Sequence, residues 1–145
     1  MNGIEERQEV LLKIHSRIED GQQVMEEQQE LQGRLVEKEG ITYLQYTEIQ
    51  DEGLEIHNTL KIQGNQLQLI RHGAVRMNHL FRVDEETESF YLTPHGRMKL
   101  ETKTKKVEFM GMKAGLSRLT LRYDLNLGGT KVGQVKLFIE IKEKG

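Results

Sequence analysis

Six polar side chains stand where the alternation of the sequence calls for apolar ones. Glu48 follows Leu44 and Tyr46 at two-residue spacing, and Arg71 follows Leu67 and Leu69. Asn58 lies between Ile56 and Leu60, His79 between Met77 and Phe81, and Thr102 and Thr104 come after Met98 and Leu100. Residues two apart in an extended chain share one face. A carboxylate, a guanidinium, an amide, an imidazole and two hydroxyls are therefore expected inside one sheet. A lone charge there costs several kcal/mol, so Glu48 and Arg71 must pair with each other, meet a ligand, or sit at a wet rim. In the binding reading, Arg71 grips a carboxylate or phosphate with its fork, and Tyr46, Tyr91 or Tyr123 line the wall. In the plainer reading the same residues form a closed internal network that orders a small core.

The remaining chemistry-bearing residues give no catalytic constellation. His15 and His57 share the outward parity of Lys13, Arg17, Glu55 and Lys61, His72 and His95 are read as turn residues, and only His79 points inward. A single inward histidine is ordinarily a hydrogen-bonded core residue, and no metal or cofactor is expected. A hydrolase or isomerase pairing Glu48 with His79 would need both groups within reach of one substrate position. Ser16, Ser89 and Ser117 lack a nucleophile elbow, and no glycine-rich stretch opens a helix as a phosphate loop does. The chain has no cysteine, which excludes disulfides, thiol nucleophiles and thiolate metal sites.

The elements that must carry these side chains read as strands almost throughout. Val10, Leu12, Ile14 and Ile18 mark the first, from Gln8 to Ile18, and residues 1–7 are expected to be mobile. Glu19-Asp20-Gly21 ends it. The stretch from Gln22 to Lys38 is rich in helix formers, yet Gly33 and its place between strands speak for a strand, and the local sequence leaves both open. Strands follow from Ile41, from Leu54 to Ile62 and from Leu67 to Arg71, with Gly64-Asn65 as a hairpin turn. Val75, Met77 and Phe81 define another, and DEETES reads as an acidic loop. FYLT pairs with RMKLETKTKKVEF across Pro94-His95-Gly96; Leu119 to Leu125 forms a ninth strand, and residues 133–142 the last. About ten hairpin-linked strands without crossover helices make one antiparallel meander, which closes into a barrel or splits into two packed sheets. A barrel of eight to ten strands is favoured: its interior is just wide enough for side chains or one small ligand.

A length of 145 residues makes a single domain. The hydrophobic share, 36%, and the absence of Trp leave a thin core of aliphatic residues and a few aromatics. No stretch of about 18 apolar residues occurs and the first residues do not read as a signal peptide, so a soluble, cytoplasmic protein is expected, with no membrane partner. The net charge is −2, but residues 1–72 carry 7 basic and 14 acidic side chains while residues 73–145 carry 14 and 9, giving −7 and +5. Such a division favours head-to-tail association or a weak anionic partner. The lysines at 103, 105 and 106 alternate among acids as on an ordinary exposed strand, and no nucleic-acid partner is expected.

Several segments in order carry a resemblance: LQYTE at 44–48, TLKI at 59–62, LIRHGAVRM at 69–77, FYLTPHG at 90–96 followed by KLETKTKKV, and LRYDL at 121–125. The chain is similar over roughly residues 8–142 to the YwiB-like family, small bacterial proteins of unknown function with a lipocalin-like, calycin-type β-barrel. The resemblance implies the fold and no activity, cofactor or catalytic residue. It favours a strand for Gln23 to Lys38 and implies that Tyr91 and Thr93, rather than Phe90 and Leu92, face the interior. The chain lacks the Trp signature and the terminal helix of ordinary lipocalins, which argues against an apolar cargo. The leading expectation is a non-enzymatic barrel holding a small polar or anionic ligand. The other is a barrel filled by side chains that binds a protein or forms a homodimer.

Overall fold

The computed structural model describes residues 6–145, all of them in one antiparallel sheet or its turns. Its strands are β1 (Glu6–Glu19), β2 (Val24–Lys38), β3 (Ile41–Ile49), β4 (Glu55–Gln63), β5 (Gln66–Gly73), β6 (Met77–Arg82), β7 (Glu86–Thr93), β8 (Gly96–Lys113), β9 (Leu116–Leu127) and β10 (Thr130–Glu143). A 3-10 turn, Asp51–Gly53, joins β3 to β4. Of the start expected to be mobile, residues 1–5 lie outside the described residues, and Glu6 and Arg7 pair with β2. The glutamine-rich stretch is a strand, because its small apolar residues Leu31 and Leu35 have core partners across the ladder: Leu31 opposes Leu12, and Leu35 opposes Leu44. No described helix is long and apolar enough to cross a membrane.

The sheet order is β6-β5-β4-β3-β2-β1-β10-β9-β8-β7, so the meander is closed by β1 against β10, and β6 and β7 meet last. That final junction is a seam rather than a ladder. At one end the amides of Arg76 and Leu92 exchange hydrogen bonds of 2.9 Å, and at the other Asp84 N–H donates to the Thr104 carbonyl at 2.9 Å. Between these points side chains bridge the two strands: Thr87 Oγ1 donates to the Leu80 carbonyl at 2.6 Å, and His79 meets Ser89 at 2.6 Å. The result is a nearly closed barrel.

Alternation places Val10, Leu12, Leu35, Leu44, Leu60, Leu67, Phe81, Leu119, Leu121, Ile139 and Ile141 in one continuous core. A bulge between Thr104 and Lys106 switches the inward parity of β8 from Leu100, Thr102 and Thr104 to Val107 and Phe109. Lys105 is the extra residue, and without it the second half of this 18-residue strand would turn its apolar side outward. A side chain at Gly33 would come within 2.8 Å of the Gln45 carbonyl and 2.9 Å of Leu12 Cδ1, so β1, β2 and β3 approach this closely only because Gly33 has none.

Two sequence expectations give way here. DEETES is not all loop: β7 begins at Glu86, and Thr87 and Ser89 take the inward positions that the glutamate run conceals. His72 is not a turn residue but belongs to β5, where its ring lies 5.0 Å from that of His57.

Candidate functional site

Consecutive turns of a meander alternate between the two ends of the barrel, and Glu48, Asn58, Arg71 and Tyr91 all lie toward the end that carries the 3-10 turn. Glu48 is the last residue but one of β3, Arg71 the third from the end of β5, and Asn58 and Arg71 are paired neighbours in the β4–β5 ladder. Arg71 spends its three nitrogens on three partners. Nε donates to Asn58 Oδ1 at 2.9 Å, Nη2 to Glu48 Oε1 at 3.3 Å and Nη1 to the Tyr91 hydroxyl at 3.2 Å. Asn58 Nδ2 completes the ring with a 2.9 Å bond to the same Glu48 oxygen. The charged pair is therefore mutual, and its side chains keep 18% (Arg71) and 15% (Glu48) of their surface. It sits at a wet rim, which spares it the full cost of desolvation.

Valence remains at this rim. A guanidinium has one hydrogen on Nε and two on each terminal nitrogen, so Arg71 keeps one N–H on Nη1 and one on Nη2. Glu48 Oε2 has no partner among the described residues, and neither do the hydroxyls of Tyr46 and Tyr123. Burial pushes the Tyr46 phenol above its ordinary value; the Glu48 carboxylate adds to the shift and Arg71 opposes it. Burial likewise raises Tyr123, to about 12, again against the pull of Arg71. Arg71 thus acts electrostatically on both phenols. The wall also parts here, because β2 and β3 pair only from Gly33–Tyr46 onward. Past that pair Thr47 to Ile49 are bonded to β4 alone, so the two strands diverge beside Glu48.

His79 heads a second and separate group. It is fully buried, with Nδ1 2.6 Å from Ser89 Oγ and Nε2 2.7 Å from Thr102 Oγ1. Thr87 Oγ1, donor to the Leu80 carbonyl, lies 3.1 Å from Thr102 Oγ1. The arrangement that uses every hydrogen runs from Ser89 to Nδ1, from Nε2–H to Thr102, from Thr102 to Thr87 and on to the carbonyl. Burial lowers the His79 pKa to about 4, so the neutral ring is the resting form. Ser89 and Thr102 thus hold the two ring nitrogens of a fully buried imidazole. Glu48 and His79 share no hydrogen-bond partner, and their strands, β3 and β6, have β4 and β5 between them in the sheet.

Of the residues expected at a site, Glu48, Asn58, Arg71 and Tyr91 are brought into contact, Tyr46 and Tyr123 stand around them, and Thr102 belongs with His79. Thr93 joins neither group, since its hydroxyl donates to the Gly96 carbonyl and accepts from the His95 amide within its own turn. Thr104 is fully buried with an unpartnered hydroxyl. Among the described residues no three His, Asp or Glu gather as metal ligands.

The model of a domain of unknown function, DUF1934, matches residues 12–139. The uncharacterised β-barrel protein YwiB of Bacillus subtilis (strain 168) is 29% identical over 121 residues, which cover 82% of each chain. The crystal structure of the ywiB protein from Bacillus subtilis superposes with a TM-score of 0.83 at 24% identity, covering 96% of this chain and 94% of that one. With the family model matching residues 12–139, most of its length, the chain belongs to the DUF1934 family.

Proposed function

We propose that the protein is a non-enzymatic, cytoplasmic, lipocalin-like barrel that binds a small polar or anionic ligand at the Arg71 rim. The observation that carries this reading is the state of Arg71 itself. Its guanidinium is fixed by partners on three strands while two N–H groups remain unspent. Such a fork is preorganised for a carboxylate or phosphate. The unpartnered hydroxyls of Tyr46 and Tyr123 and the free Oε2 of Glu48 supply further polar contacts, and the divergence of β2 from β3 gives a way in. Glu48 balances the charge, so a ligand bearing both an anionic and a donor group suits the rim better than a bare anion.

Native mass spectrometry of protein purified from its own cells, followed by titration with small carboxylates and phosphates, tests the proposal. A retained small molecule that disappears in Arg71→Met, and in the charge-balanced Arg71→Met with Glu48→Gln, is the expected result. Retention of nothing, together with no binding of either class at millimolar concentration, would overturn it.

A second reading rests on the 3.3 Å Arg71–Glu48 contact, which lets the two charges satisfy each other without a ligand. The barrel would then be a solid scaffold that binds a protein partner or self-associates. Light scattering at low and high salt separates the two, since association through the acidic and basic halves weakens as salt rises.

A further inference from the structure

On the outer wall the strand pairings set four cations side by side. Arg17 on β1 opposes Lys136 on β10, Lys136 opposes Arg122 on β9, and Arg122 opposes Lys106 on β8. Neighbouring strands lie about 4.8 Å apart, so the four stand in one row across the sheet. Like charges directly opposite one another destabilise a ladder, and the rows on either side avoid them. One row reads Glu19, Gln134, Asp124, Lys103 and the other His15, Phe138, Thr120, Glu108.

The ends of the row are partly neutralised. Arg17 lies 3.7 Å from Glu19 and 3.9 Å from Glu26, and Lys106 lies 3.8 Å from Glu108. The two central cations, Lys136 and Arg122, have no acidic partner among the described residues, and both are exposed. They line a groove of about 530 Å³ together with the cations Arg17 and Lys105 and the acids Glu19 and Asp124, Lys105 lying 3.6 Å from Asp124. That volume falls in the range of small-molecule sites, about 300–1,000 Å³.

We infer that this groove is a second binding site, independent of the Arg71 rim, for a small molecule carrying two or more adjacent phosphates. A single carboxylate answers one cation, whereas a run of phosphates faces Arg17, Lys136 and Arg122 at once, and the two guanidiniums match phosphate oxygens in pairs. Glu26 closes the row on β2, and Glu19 and Asp124 border it. Those acids confine the positive surface to the size of a small ligand and oppose a long nucleic-acid strand.

Titration of ¹⁵N-labelled protein with sodium tripolyphosphate at low ionic strength tests the site, with adenosine triphosphate, inorganic phosphate and a single-stranded oligonucleotide as separate arms. Tripolyphosphate is expected to shift the amides around Arg17, Arg122 and Lys136. Arg122→Gln with Lys136→Gln should weaken it about tenfold or more, equivalent to about 1.4 kcal/mol. The variant should melt no lower than the parent, because it removes an opposed pair of like charges. Adenosine triphosphate binding equal to or tighter than tripolyphosphate supports the site. Equal binding to the variant, equal binding of inorganic phosphate, no shift at these residues, or an oligonucleotide binding far more tightly than the triphosphates would each overturn it.

Discussion

At the scale of single residues, burial sets how His79 responds to acid. In the folded chain its pKa is held at about 4, below the ordinary 6.5, so the unfolded state binds more protons between those values. The resulting stability is fully present above about pH 6.5 and is lost as pH falls toward 4, by roughly 3 kcal/mol in all. Chemical denaturation across that range should show this loss in the parent and a flatter profile in His79→Gln. At the rim, Arg71→Met strands the Glu48 carboxylate and should cost about 2 kcal/mol in a denaturant melt, less than for a fully buried pair because both groups touch water. Adding Glu48→Gln should recover most of it. Glu48, Asn58, Arg71 and His79 were legible from parity, since each interrupts an apolar face at two-residue spacing. Thr87 and Ser89 were not: the glutamates at 85, 86 and 88 mimic a solvated loop, and only the partner atoms of His79 reveal the face opposite them.

Among the elements, the strands were legible where turn residues bound an alternating run, as at Gly64-Asn65 and Pro94-His95-Gly96. The stretch before Lys38 was ambiguous because Gln and Glu favour helices locally, while the deciding contacts, Leu12 and Leu44, come from other strands. The Lys105 bulge left no local mark, since its consequence appears only as a change of parity from Thr104 to Val107. Gly33→Ala should destabilise the barrel by about 1–3 kcal/mol in equilibrium unfolding, because the added carbon meets the Gln45 backbone and Leu12. The seam makes its own prediction. Thr87→Val keeps the volume but removes the donor to the Leu80 carbonyl, and should cost about 1–3 kcal/mol. It should also speed hydrogen exchange in β6 and β7 before it does so in β3 and β4.

For the molecule as a whole, the ladder of β1 with β10 makes one ten-stranded sheet whose two edges are β6 and β7, and the seam between those strands covers both. Closure into a barrel was legible in the number of alternating strands, whereas the place of the side-chain seam, between β6 and β7, was not, because nothing in either strand alone marks it. The acidic half of the sequence supplies β1 to β5, which are contiguous in the sheet, and the basic half supplies β7 to β10, also contiguous, together with β6, which pairs with β5. The −7 and +5 division therefore becomes two opposed walls, one of which carries the row of cations. At one end this cylinder holds a preorganised, partly unspent guanidinium. Nuclear magnetic resonance of the Arg71 side chain tests it most directly. The Nε–H signal is predicted to be protected from solvent exchange and lost as a protected signal in Asn58→Ala, and the remaining guanidinium signals to shift on addition of small carboxylates or phosphates. A side chain in rapid exchange with water and indifferent to both classes of compound would contradict the account.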